Sequence, residues 1–544
     1  MPTINCNTDD LYKLVGKRLD EKKLRELLDI AKAELESPYG KEIIVKYNDT
    51  NQPYLWSAEG LARLFRTHLG VDKKISAIKT TKTNDKVIFD RKLNNIRPYI
   101  ACFKAVGHKI DEQLLKQLIQ LQEKLADNFG RKRQKISIGV YPLKNIKFPL
   151  QCKAADPREE FTPLDFHEPI TLRETLEKHP KGKEYGHLIK DNKLYPVFVD
   201  ANKKILSLIP VINSEQTGRV KIGDDAILFD ATGTDENAVN LVSNIFAYAL
   251  AERGFEIQTL TIDYPGKKIQ TPTLKTKTIK IKEEEINKLL GVNLKTKEIQ
   301  ALALKMGLSY SSNEFIIPSY RADIMHPVDI IEDIAIAYGY NNFEALPLTS
   351  YTIGAPLPYQ HFIDSWRELF IGLENQEIMS AVLSNKELLY EKMNVKDTGT
   401  IEITNPISST YSCIRTWILP TLLDFLSKNK HYDYPQKIFE QGIVSQRQKN
   451  NISDEQHLAS VSSHMGATFT EIKQSIEFVL RSSGLSAAFE ELEHNSFISG
   501  RAARIIVNKK EIGICGEIHP AVLEKFGIQM PTVGCEINLD NIYG

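Results

Sequence analysis

Four carboxylates crowd one short stretch of this 544-residue chain. Asp329, Glu332 and Asp333 are spaced i, i+3, i+4, which puts all three on one face of a helix. Asp323 lies just upstream, close enough in sequence to fold back over that face. Pro327 is suited to open the helix, because the first turn has no use for its missing N–H, and Gly339 is suited to end it. Ile330, Ile331, Ile334, Ala337 and Tyr338 fall on the opposite side and can face a core. Acids gathered without a nearby lysine repel one another unless positive charge sits among them. Two chemistries fit. A helix N-terminus favours acids through its dipole, and Mg²⁺ takes hard oxygen ligands while keeping several waters.

A second set of polar side chains follows two apolar runs. Residues 205–208 lead into 209–218, which hold Asn213 and Ser214, and residues 226–230 lead into 231–235, which hold Thr232 and Thr234. Each reads as a strand followed by a polar loop. Such loops are plain turns when their amides and hydroxyls satisfy the local backbone; two of them, each after a strand, are also a way to line a pocket for a small polar ligand. Arg131, Lys132, Arg133 and Lys135 form a basic cluster just before the apolar run 136–141. It is either a solvated strand edge or a phosphate contact. Residues 91–268 contain no Ser-His-Asp or Cys-His arrangement that marks a nucleophile.

These groups need several domains to hold them. The length predicts three to five, and 42% hydrophobic with 26% charged residues is ordinary for a soluble globular protein; a multidomain α+β chain is expected. Seventy basic and seventy acidic residues cancel, so no global attraction to nucleic acid is indicated, although local basic patches remain open. The six cysteines are scattered with no Cys-x-x-Cys pair, which argues against a zinc ribbon or a disulfide framework and fits a reducing cytosol. The first residues do not read as a secretion or transit signal, and no apolar run approaches the length that spans a bilayer. Texture changes divide the chain at 1–90, 91–268, 269–347 and 348–544. In the first part, Leu24, Leu27, Leu28, Ala31 and Leu35 recur at helical spacing, and Ser57 is placed to cap a helix through Leu61, Leu64 and Phe65. A strand is expected over 99–106, a long helix over 235–254, and a linker with an edge strand over 267–282.

Together these pieces resemble the β subunits of phenylalanyl-tRNA synthetase in their archaeal and eukaryotic-cytosolic form. The acidic stretch carries most of the resemblance, with Arg321, Asp323, Asp329, Glu332, Asp333, Gly339 and Tyr340 in the family's order. Supporting matches are Arg97-Pro-Tyr, Arg131 and Arg133 before Ile138-Gly139, His179 to Tyr185, Thr232 to Asp235, and Gly516 to Pro520. The family's usual Asn-Arg-Pro-Asp-Leu run is here Asn51-Gln-Pro-Tyr-Leu55, two charges fewer. The resemblance implies a small N-terminal α/β domain, a mixed α/β editing domain, a small winged-helix-like domain with the acidic Mg²⁺ site, and an antiparallel core like that of class II synthetases. It also implies that this core is catalytically silent. Arg415 and Glu440 stand where the second class II motif is expected, but only Gly500-Arg501 remains of the third.

The implied function is the β subunit of phenylalanine–tRNA ligase in the cytoplasm. It supports ATP-dependent charging of tRNA-Phe on the α subunit, within an (αβ)₂ tetramer. Phenylalanine and ATP are taken by the α subunit, and no membrane is involved. The resemblance implies hydrolysis of mischarged Tyr-tRNA-Phe, with Asn213, Ser214, Asp230, Thr232 and Thr234 as pocket residues, and a structural Mg²⁺ held by Asp323, Asp329, Glu332 and Asp333 near the partner. The competing readings are a free-standing aminoacyl-tRNA deacylase and a non-enzymatic RNA-binding scaffold. A silent core has no use in the first, and zero net charge speaks against the second.

Overall fold

The computed structural model describes residues 2–75, 77–448 and 451–543. The chain is a mixed α/β protein in two compact units, Met1–Leu346 and Pro347–Gly544.

The first unit begins with strand β1 (Thr3–Asn7), helices α1 (Thr8–Val15) and α2 (Glu21–Ile30), strands β2 (Ala33–Leu35) and β3 (Glu42–Tyr47), and helix α3 (Ala58–His68). The strands pair antiparallel in the order β1-β3-β2. Helix α2 is shorter than its leucine spacing predicts. It stops at Ile30, Lys32 takes a left-handed φ of 52°, and Leu35 pairs with Val45 in the sheet. The apolar spacing continued past the helix because both elements bury into the same core. Ser57 caps α3 as expected, accepting from the Gly60 N–H at 3.2 Å.

A ten-stranded sheet follows. Its strands are β4 (Thr80–Phe89), β5 (Tyr99–Val106), β6 (Ile136–Pro142), β7 (Leu150–Ala155), β8 (Tyr195–Val199), β9 (Ile205–Leu208), β10 (Ile212–Asn213), β11 (Ala226–Gly233), β12 (Glu256–Tyr264) and β13 (Lys267–Thr271). They run in the order β10-β9-β8-β7-β4-β12-β5-β11-β6, with β13 paired to β12. Only β4 is flanked by parallel neighbours, β7 and β12. The helices of this region are α4 (Glu112–Lys124), α5 (Leu172–Lys178), α6 (Pro180–Tyr185), α7 (Glu215–Gly218) and α8 (Glu236–Glu252). Helix α8 is apolar on nearly every face and is accordingly buried, packing on β5 and β11. Arg253 just beyond it pairs with Asp10 at 2.5 Å and Glu59 at 2.6 Å, fastening the large sheet to α1 and α3.

The unit ends with α9 (Glu283–Leu290), α10 (Thr296–Lys305) and α11 (Pro327–Tyr338) around a small sheet of β14 (Lys277–Lys280), β15 (Ser309–Ser311) and β16 (Glu314–Ile317), ordered β14-β16-β15. Residues 267–282, expected as a linker with one edge strand, hold the two strands β13 and β14.

The second unit packs α12 (Pro358–Gly372), α13 (Leu419–Lys428), α14 (Phe469–Ser482) and α15 (Pro520–Phe526) on a seven-stranded sheet. Its strands are β17 (Gln376–Glu377), β18 (Gln436–Gln448), β19 (Asn451–Ser463), β20 (Ala487–Glu491), β21 (Phe497–Val507), β22 (Lys510–Ile518) and β23 (Thr532–Asn538). The order is β17-β18-β19-β23-β22-β21-β20, antiparallel except for β17 against β18. Among the described residues no helix is long and apolar enough to cross a membrane.

Candidate functional site

Strand β11 runs on to Gly233, so Thr232 lies in the sheet and not in the loop its composition suggested. The sheet therefore aims its side chain. Asp230 and Thr232, two residues apart, point to the same face. On neighbouring β6 they stand opposite Gly139 and Ser137. This face looks into a cavity of about 310 Å³ with apolar walls that include Leu118, Ile138, Val140, Ile209 and Val211.

The floor of the cavity is polar. Asp230 is 3% exposed, and among the described residues its Oδ1 has no hydrogen-bond donor. Burial pushes its pKa up to about 6, and the Arg97 guanidinium draws it back down. A buried acceptor left without a donor costs about 1–3 kcal/mol, so this carboxylate is held ready at the expense of stability. Gly139 makes the space: a Cβ there would lie 2.3 Å from Asp230 Oδ1 and 2.3 Å from the Tyr141 hydroxyl. Tyr141 in turn donates to Ser207 Oγ at 3.0 Å.

Arg97 fixes the neighbouring groups from behind. Its guanidinium donates to Thr232 Oγ1 (3.1 Å), the Thr232 carbonyl (2.9 Å), Ser137 Oγ (3.1 Å) and the Arg133 carbonyl (3.1 Å). Burial lowers its pKa to about 9, with Asp230 as the nearest opposing charge, and it remains a cation at neutral pH. Arg133 closes the rim. It donates to the carbonyls of Pro210 (3.1 Å) and Val211 (2.8 Å) and lies over the Tyr185 ring at 4.1 Å. Gln122 and Glu123 at the end of α4 complete that rim with Asn213. Glu123 is exposed and has no cation within ion-pair distance among the described residues.

Of the five residues expected at this pocket, Asn213, Asp230 and Thr232 line it. Ser214 does not: it is buried outside the lining and caps α7, accepting from the Gln216 N–H at 3.3 Å. Thr234 does not either, being exposed and donating to the Gln134 carbonyl at 3.4 Å. Sequence reasoning passed over Tyr141, Ser207, Gln122 and Glu123. The only sequence signal for the β6 members is their alternation, Ser137, Gly139, Tyr141, which places them on one face of a strand.

The acidic stretch is organised differently. Pro327 opens α11 and Gly339 ends it, as the sequence suggests. Asp323 and Asp333 are almost fully buried and share one guanidinium: Arg321 Nη2 lies 2.6 Å from Asp323 and 2.8 Å from Asp333. Burial raises the Asp333 pKa while Arg321 opposes it. Asp329 closes a capping box, accepting from the N–H groups of Met325 (2.8 Å) and His326 (2.7 Å). Glu332 points outward and pairs with Lys32 at 2.9 Å. The four carboxylates thus have three separate engagements. Among the described residues no group of three or more His, Cys, Asp or Glu side chains is arranged to hold a metal ion. The positive charge among these acids comes from Arg321 and Lys32.

In the second unit Arg415 and Glu440 form a buried pair at 2.6 Å, with Glu440 also accepting from Ser380 Oγ at 2.6 Å. Arg501 is paired with Glu517 at 2.6 Å. Buried Glu536 accepts from the N–H groups of Ile418 and Leu419 and from His457 Nδ1 at 2.7 Å.

Comparison with known proteins agrees across the whole chain. The family described as "Phenylalanyl tRNA synthetase beta chain CLM domain" matches residues 344–539, and "tRNA synthetase B5 domain" matches 279–340. The phenylalanine–tRNA ligase β subunit of Pyrococcus horikoshii is 41% identical over 554 residues, covering 100% of both chains. That of Archaeoglobus fulgidus is 35% identical over 550 residues, covering 100% of this chain and 99% of its own. The crystal structure of an N-terminal fragment of the Pyrococcus horikoshii subunit superposes with a TM-score of 0.61 at 40% identity, covering 62% of this chain and all of the fragment.

Proposed function

Because this chain belongs to the family of phenylalanine–tRNA ligase β subunits, we infer that the cavity over β6 and β11 is a hydrolytic site that removes tyrosine wrongly esterified to tRNA-Phe. As a β subunit the chain is part of an aminoacyl-tRNA synthetase and works with an α subunit and tRNA.

The observation that carries the reading is Asp230. A pocket built for phenylalanine rejects an added hydroxyl poorly, on the order of a hundredfold, so a synthetase that must exclude tyrosine needs a second sieve. The cavity here has the complementary chemistry. Its apolar walls suit a phenyl ring, and Asp230 at the floor is an acceptor without a donor, placed beside Tyr141, Ser207 and Thr232. A tyrosine hydroxyl donating to Asp230 satisfies it; a phenylalanine ring buries it unsatisfied. With the ring on the floor, the ester faces the rim. There Asn213, Gln122 and Arg133 offer N–H donors to the carbonyl oxygen, and Glu123 is the carboxylate free to take a proton from water. The test is hydrolysis of Tyr-tRNA-Phe and Phe-tRNA-Phe by the αβ complex. Tyr-tRNA should be cleaved selectively, and Tyr-tRNA that persists in its presence would sink the reading.

The second unit, in this reading, is a class II-like core that makes no aminoacyl adenylate. Arg415 and Arg501, which would be needed for ATP phosphates, are each held by a glutamate. ATP, phenylalanine and the synthetic step then belong to the α subunit in a cytoplasmic (αβ)₂ assembly. Charging activity by this chain alone would overturn that assignment. The four-acid Mg²⁺ set is not fitted by these side chains as placed. An ion here would take Asp329 and Glu332, the two that do not contact Arg321, with further oxygens from water or the partner.

A further inference from the structure

A second hollow lies beside the pocket, with one turn of chain between them. This groove, of about 1070 Å³, is lined by Phe129, Lys135, Asn237, Lys275, Lys277 and Met325 among others. Its walls come from the end of the α4 segment, the start of α8, strand β14 and the loop before α11. Asn244 fastens those walls together, donating to the carbonyls of Thr273 (3.0 Å) and Ser319 (3.2 Å), so the groove is a fixed feature of the fold.

The charge in it is one-sided. Asp235 is the acidic residue of the lining and is already bound to Lys135 at 3.0 Å. Arg321 reaches the groove with its charge shared between Asp323 and Asp333. Lys275 and Lys277 are exposed, and among the described residues neither has a carboxylate within ion-pair distance. The turn that separates groove from pocket is the basic cluster of the sequence. Arg131, Lys132 and Arg133 take consecutive left-handed φ values of 51°, 52° and 64°, a conformation that costs energy in each non-glycine residue. Arg133 lines the pocket and Lys135 lines the groove, while Arg131 and Lys132 just before them are exposed and, among the described residues, have no carboxylate within ion-pair distance.

We propose that this groove and turn form a track for the phosphodiester backbone of tRNA, carrying the strand whose 3′ end enters the pocket. The cations follow the phosphates, and Phe129 with Met325 offers apolar surface for a base. The proposal rests on the hydrolytic reading for its direction but not for its binding. It accounts for Arg131 and Lys132, which the pocket does not use, in a chain with zero net charge.

The test measures binding of an uncharged tRNA-Phe transcript to the full-length chain with its α partner, over a range of salt. The double variant K275E/K277E is expected to weaken binding by about tenfold and to flatten the slope of log K against log salt by about one per lysine. The variant R131A/K132A is expected to act in the same direction. All these side chains are exposed, so melting serves as a control for folding. Unchanged affinity and slope in both variants overturns the track. Weakened binding in a complex that cannot cleave Tyr-tRNA would leave the track standing and remove the hydrolytic reading, so the two failures are told apart.

Discussion

Two places in the first unit bury aspartate close to an arginine, and they differ in where the arginine spends its hydrogen bonds. At the acidic stretch, Arg321 donates to both Asp323 and Asp333. At the pocket, Arg97 spends its hydrogen bonds on Thr232, Ser137 and a carbonyl, while Asp230 Oδ1 goes without a donor above a hollow. The first arrangement holds three pieces of chain together. The second stores an unmet acceptor for something that comes from outside. Residue types alone do not separate these cases; the distribution of hydrogen bonds does.

The contrast is broken most forcefully at Arg321. Arg321→Met leaves two buried carboxylates uncompensated and is expected to cost about 3–5 kcal/mol, read as early loss of structure around α11 in denaturant. A melt like the parent's would mean the pair is not the clasp described here. At the pocket the expected effect falls on selectivity. Asp230→Asn should reduce the preference for Tyr-tRNA over Phe-tRNA by about a hundredfold and leave stability unchanged or improved. Its pH dependence has a definite sign. The folded pKa of about 6 lies above the ordinary 3.8, so this group's contribution to stability is full below 3.8 and is lost as pH rises through 6. Selectivity runs the other way, growing as Asp230 ionises, and a flat profile between roughly pH 5 and 7 would contradict its role.

The second unit offers an intermediate case. Burial works to lower the His457 pKa, but Glu455 and Glu536 outweigh it and raise it to about 9, above the ordinary 6.5. Its stabilisation is therefore complete below 6.5 and lost as pH rises through 9. His457→Gln should cost about 1–2 kcal/mol at neutral pH and abolish that alkaline slope in a pH-melting series. The smallest effect belongs to the exposed pair. Glu332→Gln breaks the contact to Lys32 and should cost less than about 1 kcal/mol. Calorimetric titration of the isolated chain with Mg²⁺ should show no site at the acidic stretch; tight binding there would restore the four-acid cradle.

Much of the architecture was legible in the sequence. The capped starts of α3 and α11, strand β5 and the long helix α8 follow from caps, proline and apolar spacing, which are local. What misled was continuity. Leu35 keeps the helical spacing of α2 yet sits in β2, and Thr232 has loop-like neighbours yet extends β11. The pocket was half visible for the same reason. Asn213, Asp230 and Thr232 share a local signature, but their partners Gln122, Tyr141 and Ser207 meet them only through strand pairing and helix packing. The acidic stretch shows the opposite limit. Its four acids are conspicuous in sequence, while Arg321 and Lys32, which pair with three of them, give no sign of doing so.

Gly139 carries a consequence for the cell. A single methyl at that position would intrude on Asp230 and Tyr141 and fill the floor of the cavity. On the hydrolytic function proposed above, Gly139→Ala is expected to leave a synthetase that charges tRNA-Phe without proofreading. Such a strain would grow normally when phenylalanine is abundant and accumulate tyrosine at phenylalanine codons when the balance tips. On the hydrolytic function proposed above, the fidelity of translation would hang on the space left by one absent side chain.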